Sequence, residues 1–199
     1  MQSHAYRRWA SSRSDALDSL THVHRKVTGG RRGRQYATQH YNLTMYVALA
    51  AEFQGFCRDL HDDMAFELAA YVDSFSQASG SFNAMLHANF VRSRKLDQGN
   101  ANAGNMGSDF QLLGLALWPG LRARKPTKVS GWNKAVEHLN EVRNGVAHSD
   151  KDKIAKAHAD EPLILKNWKR KRQVLDKLAQ EMDALATDYM NTLTGRAPW

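Results

Sequence analysis

One short stretch, EVRNGVAHSD at residues 141–150, combines three side chains that could act on an anion. Arg143 stays charged at neutral pH and carries a planar fork of N–H donors that fits an oxyanion. His148 follows five positions later, and an imidazole takes up or releases a proton near pH 7. Asn144, beside the arginine, adds an amide that both donates and accepts hydrogen bonds. The stretch therefore has the residue types for binding an anion and moving a proton.

The helix that carries this stretch decides where Arg143 points. Apolar residues recur every three or four positions from Ser130 onward and predict a helix; they are Trp132, Val136, Leu139, Val142 and Val146. With about 100° of rotation per residue, Arg143 falls inside this apolar stripe, roughly 20° from Trp132. A guanidinium placed there needs an acceptor, because an unpaired buried charge costs several kcal/mol.

We expect that acceptor on a long helix predicted at 38–76. Glu52 lies at the edge of its apolar stripe, and Asp59 and Asp63 follow along the same flank. The sequence thus predicts an ion pair between Arg143 and Glu52, with Glu52 supporting the site. The structural alternative is a buried pair that only fixes the register of the two helices.

His148 is not brought to Arg143 by regular helix geometry. Five residues rotate a helix by about 500°, which leaves the two side chains about 140° apart. Loosening of the backbone at Gly145, an exit from the helix at residues 148–150, or a second subunit could supply the missing approach. An ordinary surface histidine at a helix end is the alternative reading of His148.

The remaining sequence predicts an all-α fold, an up-and-down helical bundle of about five to six helices in a single domain over residues 1–199. The domain would have a core at about 38–194 and an N-terminal helix at about 4–28 that stops at Gly29 and Gly30. The Gly- and Asn-rich residues 97–108 predict an exposed loop. The other helices are predicted at 81–97, about 109–117, and roughly 162–194.

Charge and composition limit the classes of partner. The formal net charge of +8 favours a polyanion, although a solvated basic surface is the alternative. Cys57 is the only cysteine, which fits a reducing, cytoplasmic environment and leaves no intramolecular disulfide. The N-terminus lacks the pattern of a secretion signal, and the longest apolar run, residues 45–51, is too short to span a membrane, so we expect no membrane association.

The segment RNGVAH resembles the signature of HEPN domains, in which a helix carries an arginine, a polar neighbour and a histidine after four to six intervening residues. Arg143, Asn144 and His148 match those three positions. AAEFQGFCRDL, residues 50–60, is similar to the second-helix segment of the RiboL-PSP-like HEPN type, where an acidic residue precedes an apolar and aromatic run. The resemblance covers about residues 38–194.

The resemblance implies a HEPN-like fold and a metal-independent endoribonuclease without cofactors, working as a homodimer whose two motifs meet in one cleft. Its catalytic residues would be Arg143, His148 and Asn144. His148 would remove the proton of the RNA 2′-OH, and Arg143 would bind the scissile phosphate. The expected ends are a 2′,3′-cyclic phosphate and a 5′-hydroxyl. The resemblance also suggests a toxin or phage-defence effector with a neutralising antitoxin or regulatory partner.

Two basic segments are candidate RNA contacts. KNWKRKR at 166–172 supplies Lys169, Arg170, Lys171 and Arg172, with a compensating anion expected nearby because cations are disfavoured at a helix N-terminus. Trp168 could stack on a base, but its place in the apolar stripe favours the core. RKVTGGRRGR at 25–34 supplies Arg31, Arg32 and Arg34, or is only a connector. We predict no metal site, since residues 61–63 (HDD) diverge around a helix.

Two other functions remain open. The chain could be a catalytically inactive HEPN-fold module that binds RNA or a protein, with RNGVAH serving dimerisation. A basic helical DNA-binding protein ranks last, because no helix-turn-helix pair is evident.

Overall fold

The computed structural model describes residues 1–29, 38–75 and 81–199, and these residues form helices and no strand. The helices are α1 (His4–Arg8), α2 (Ser14–Thr28), α3 (Gln39–Asp73), α4 (Ser81–Val91), α5 (Lys95–Gln98), α6 (Ala103–Leu112), α7 (Leu117–Arg124), α8 (Val129–Ala147), α9 (Lys151–Asp160) and α10 (Leu165–Thr194). A π-helical turn, Trp9–Arg13, joins α1 to α2. The all-helical class is confirmed. Counting α1 to α2 as one helix, the described ranges hold nine helices, more than the five to six predicted.

Helix α3 is the centre of the bundle, and its position confirms the long helix predicted at 38–76. It packs against α1, α4, α8 and α10. Its apolar side chains join one buried cluster that runs from Ala5 to Met190. No helix in the described ranges is long and apolar enough to cross a membrane.

The N-terminal helix docks on one side of α3 through its π-helical turn. Trp9 lies edge-on to Phe53, with ring centroids 5.8 Å apart, and its indole nitrogen donates to Asp176 on α10. The wider turn rotates Arg13 onto α3 beside Gly55, where a Cβ atom would lie 2.4 Å from the guanidinium. Helix α2 ends at Gly29 in the left-handed region, φ 57°, as the glycine pair predicts.

The segment after α4 differs most from the sequence-based prediction. The predicted helix at 81–97 is interrupted after Val91, and the predicted exposed loop at 97–108 is wrong, because α5 and α6 occupy much of it. Asn102 caps α6 by accepting from the backbone of Asn105, and both carboxylate oxygens of Asp109 accept from the first turn of α5. These short helices depend on polar caps rather than apolar periodicity.

Two further boundaries are also corrected. The predicted helix at about 109–117 is broken by a turn with Gly114 at φ 82°, where the Tyr189 hydroxyl leaves no room for a Cβ atom. The unpredicted helix α9 begins after Asp150, whose side chain accepts from the backbone of Lys153. An aspartate cap thus starts a helix in a segment that has little apolar periodicity.

Candidate functional site

The three motif residues lie at the C-terminal end of α8. The helix is regular through Ala147, so Gly145 does not loosen it. Gly145 instead admits α9, because a Cβ atom there would lie 2.8 Å from the Ile154 side chain. The chain leaves the helix at His148, and Ser149 takes a positive φ of 53°.

Arg143 projects from α8 toward α3, but its partner is not the one predicted. Its Nη1 donates to the side-chain oxygen of Gln54, over 3.0 Å. The amide nitrogen of Gln54 donates in turn to the carbonyls of Leu96 and Gly99, at 2.6 and 2.8 Å. Those two acceptors fix the orientation of the buried Gln54 amide, so its oxygen must face Arg143.

The predicted pair between Arg143 and Glu52 is wrong. Glu52 binds Nη1 of Arg13 at 2.6 Å, and Asp59 binds Nη2 of the same guanidinium at 2.9 Å. Glu52 and Gln54 are two residues apart, which places them about 200° apart around α3. The N-terminal helix occupies the acidic flank, and α8 occupies the opposite side. The prediction that Glu52 and Asp59 lie on one flank of α3 is confirmed, but the arginine that binds there is Arg13 and not Arg143.

No carboxylate among the described residues pairs with Arg143. Five arginines in the described ranges are partly or fully buried, and the other four each contact a carboxylate; those four are Arg13, Arg58, Arg94 and Arg172. Arg143 has only the neutral Gln54 oxygen, and none of its nitrogens is buried without a partner. Its remaining N–H groups therefore reach solvent and are free to bind an anion.

Asn144 and Asn140 bind the segment that connects α5 to α6. The amide nitrogen of Asn100 donates to the side-chain oxygen of Asn144 at 2.5 Å. One turn earlier on α8, Asn140 donates to the carbonyl of Ala101 at 3.1 Å. The half-buried Asn144 therefore retains its own N–H donors for an external acceptor.

His148 is exposed and stands apart from the arginine. Its backbone closes the last turn of α8 by donating to the carbonyl of Asn144. In the part of the chain that the structure describes, no hydrogen bond joins its imidazole to Arg143 or to any carboxylate. The arginine and the amide are thus each held by one side-chain hydrogen bond, and the histidine is exposed at the end of the helix.

Three of the four basic residues predicted at 166–172 to contact RNA form ion pairs within the chain, and one of them is buried. Lys171 is 5% exposed and binds Glu161 at 2.6 Å, so it is unsuited to contact RNA. Arg170 binds the other oxygen of Glu161, and Arg172 binds Asp18. Glu161 supplies the compensating anion that was expected. Lys169 is exposed and keeps the predicted role open.

Of the other two predictions on basic segments, only the one for Trp168 falls within the described residues. Trp168 is 1% exposed and donates to the carbonyl of Met45, which confirms it as a core residue. Arg31, Arg32 and Arg34 lie outside the described residues.

The sequence HDD at 61–63 points in three directions. His61 is buried against the carbonyl of Asp109, Asp62 binds Arg94, and Asp63 accepts from the backbone of Ala5. Burial lowers the pKa of His61 to about 4. No group of three potential metal ligands occurs among the described residues. Cys57 is fully buried, and burial raises the pKa of its thiol.

Two surface grooves lie elsewhere on the molecule. One, of about 380 Å³, runs between α2 and α10, and the other, of about 550 Å³, lies between α8 and α10 near the end of α9. Neither includes Arg143, Asn144 or His148.

Gln54 and Asn100 are the site residues that the sequence did not reveal. Gln54 is a polar residue inside an apolar run of α3, and that position was a usable signal for a buried hydrogen bond. Asn100 lies in a segment with several asparagines, and nothing in its spacing singles it out.

Comparison of the chain with models of protein families, with curated proteins and with solved structures finds no match.

Proposed function

We propose that this protein is a metal-independent endoribonuclease of HEPN type with a HEPN-like fold, acting as a toxin or phage-defence effector. The observation that carries the proposal is the state of Arg143. A neutral amide holds its guanidinium in place without cancelling its charge, and an exposed histidine follows on the same helix end. An oriented cation and a proton carrier at the same end of one helix suit cleavage at a phosphodiester once both reach the same phosphate.

The reaction needs only groups that RNA and these side chains supply. Neutral His148 takes the proton of the 2′-OH, whose oxygen attacks the adjacent phosphorus. Arg143 and the N–H of Asn144 donate to the non-bridging oxygens, where negative charge increases in the transition state. The bond from phosphorus to the 5′-oxygen breaks, and that oxygen gains a proton from water or a second histidine. A 2′,3′-cyclic phosphate and a 5′-hydroxyl remain.

We propose that the complete site is formed by two copies of the chain. Within the described part of one copy, no side chain forms a hydrogen bond that would orient the His148 imidazole. Two α8 ends that face each other across a two-fold axis would place the histidine of one copy beside the arginine of the other. The second histidine of such a symmetric site could protonate the leaving oxygen. A neutralising partner would act by covering this end of α8.

One observation favours the second candidate, an inactive RNA- or protein-binding module. An active general base is usually held by a hydrogen bond that fixes its tautomer, and none of the described residues supplies one to His148. If no second copy supplies that bond, the uncompensated arginine would bind phosphate without turnover.

The decisive experiment compares wild type, His148→Ala and His40→Ala on total RNA with excess chelator. His40 is a matched control, because it is also exposed and lies near the end of a helix, at the start of α3. We expect cleavage by wild type and His40→Ala, and a loss of at least about 100-fold in His148→Ala. End-group analysis should find cyclic phosphates, and light scattering should find a dimer for all three proteins.

Three outcomes would reject the nuclease proposal in different ways. Strict dependence on a divalent metal would contradict the mechanism. Equal activity of His148→Ala would remove the general base. RNA binding without any cleavage by the wild-type dimer would establish the inactive module.

A further inference from the structure

The segment at residues 96–101 contacts both helices of the candidate site. On one side, the carbonyls of Leu96 and Gly99 accept from the side chain of Gln54 on α3. Toward α8, the Ala101 carbonyl accepts from Asn140, and the Asn100 side chain donates to Asn144. The connection between α5 and α6 is therefore hydrogen-bonded to the part of α8 that carries the motif.

The segment is held on both sides by residues outside it. Asp109 accepts from the backbone N–H groups of Lys95 and Leu96, and the Asn105 side chain donates to the carbonyl of Asn100. A Cβ atom at Gly99 would lie 3.1 Å from the Asn105 amide, so the chain passes close to α6. These bonds fix the backbone from which the Asn100 side chain extends.

We propose that Asn100 is a positioning residue that sets the hydrogen-bonding polarity of Asn144, so that Asn144 and Arg143 form a donor-only subsite for a phosphate of single-stranded RNA. This inference rests on the proposed function and adds a residue and a ligand group to it. Asn100 acts through Asn144 and does not touch the phosphate.

The argument follows from the two faces of an amide. Asn144 uses its oxygen to accept from Asn100, and its NH₂ group is not buried and has no hydrogen-bond partner among the residues that the structure describes. Gln54 likewise uses its oxygen to accept from Arg143. The side-chain groups that Arg143 and Asn144 leave unpaired are consequently N–H donors. Donors without a neighbouring acceptor select an anionic oxygen and disfavour groups that must themselves donate.

The polarity can be reversed with a single substitution. In Asn100→Asp, the new carboxylate has no N–H to donate, so Asn144 must turn its NH₂ group inward and its oxygen outward. Asn102→Asp is the matched control, since it adds the same charge two residues away and an aspartate caps α6 as well as asparagine does. Equal thermal unfolding temperatures would show that both variants remain folded.

Binding is measured with a fully 2′-O-methylated single-stranded RNA, which lacks the nucleophile and is not cleaved. We expect the dissociation constant of Asn100→Asp to be about tenfold higher than that of Asn102→Asp, because a hydrogen bond to an anion is replaced by a repulsive contact. In an Asn144→Ala background, the difference between the two variants should vanish, because Asn100 acts only through Asn144.

The outcomes separate this inference from the nuclease proposal. Equal dissociation constants for Asn100→Asp and Asn102→Asp, or a difference that persists without the Asn144 amide, would overturn the positioning role even if unmodified RNA is cleaved. If the wild type binds the methylated RNA but never cleaves unmodified RNA, the nuclease proposal fails. A tenfold difference that depends on Asn144 would then still support the phosphate subsite.

Discussion

Helix α3 holds two arginines on opposite sides, and they are paired in different ways. Arg13 reaches it from the N-terminal helix and binds two carboxylates, Glu52 and Asp59. Arg143 reaches it from α8 and binds one neutral amide, Gln54. The two acceptors Glu52 and Gln54 are only two residues apart in sequence. The same helix therefore neutralises one guanidinium and leaves the charge of the other in place.

The difference teaches how a fold separates stability from binding. Burial by itself would lower the pKa of Arg13, but the hydrogen bonds and charges of Asp59 and Glu52 outweigh it and raise the pKa. That arrangement ties the N-terminal helix to the core and has little charge left for an external anion. At Arg143 the Gln54 oxygen orients the guanidinium but does not neutralise its charge, which is the arrangement that a phosphate site needs.

The largest effect should appear in the activity of Arg143→Gln. Glutamine cannot supply charge to the phosphate, so we expect RNA cleavage to fall by about 100- to 1000-fold. The free energy of unfolding should change by less than about 1 kcal/mol, because the guanidinium makes one hydrogen bond to the described residues. Cleavage rates and urea unfolding of the same preparations would test both parts.

Arg143→Lys sharpens this test, since it retains the charge and loses the planar fork. An intermediate activity is expected, above that of the glutamine variant. Cleavage by Arg143→Gln at the wild-type rate would show that the uncompensated charge has no part in catalysis.

The opposite pattern is expected on the other side of α3. Arg13→Met removes the cation that pairs with the partly buried Glu52 and leaves Asp59 with the more exposed Arg8, so we expect a loss of about 2–3 kcal/mol in the free energy of unfolding. Cleavage per folded molecule should stay at the wild-type level, because the N-terminal helix docks away from α8. Urea unfolding followed by tryptophan fluorescence would measure the loss.

Glu52→Gln is the milder comparison on that side. Glutamine still accepts from Arg13 and Asp59 still pairs with it, so the loss should be about 1 kcal/mol. Reduced cleavage in this variant, with folding intact, would return Glu52 to the site and contradict the separation of the two sides.

The comparison also shows which features the sequence could predict. Long apolar periodicity was enough to predict α3, and it placed Trp168 in the core. The acidic flank of Glu52, Asp59 and Asp63 was equally readable, because it depends on the rotation of one helix alone. These features are local, and each is repeated over several turns.

The partners of the two arginines were not predictable, because they depend on which helix packs on which side of α3. Glu52 and Gln54 were both available as acceptors, and only the docking of the N-terminal helix removes Glu52. Asn100 was hidden for a related reason, since its segment is held by the caps at Asn102 and Asp109 rather than by an apolar pattern. Such tertiary hydrogen bonds have no period in the sequence.

The smallest effect is expected at Asp183, which reverses the situation of Arg143. Here a charged acceptor on α10 meets a neutral donor, the backbone N–H of Ser3 at 3.1 Å, in a position that is 5% exposed. Burial raises the pKa of this carboxyl above its ordinary value of 3.8, despite the opposing hydrogen bonds of Ser3 and the attraction of the N-terminal ammonium group. Asp183→Asn keeps an acceptor for Ser3 and removes the buried charge. We expect its free energy of unfolding at pH 7 to lie within about 1 kcal/mol of wild type.

The pH dependence of that small difference tests its cause. The folded state binds the proton of Asp183 more tightly than the unfolded chain does, so protonation favours folding. As the pH falls from neutral through the raised pKa toward 3.8, wild type should gain stability relative to Asp183→Asn, and the gain should level off below 3.8. Urea unfolding of both proteins between pH 7 and pH 3.5 measures it. If wild type instead loses stability relative to Asp183→Asn as the pH falls, then attraction between Asp183 and its partners, and not burial, controls its pKa. Arg143 avoids the penalty because it is only half-buried and its remaining donors reach solvent.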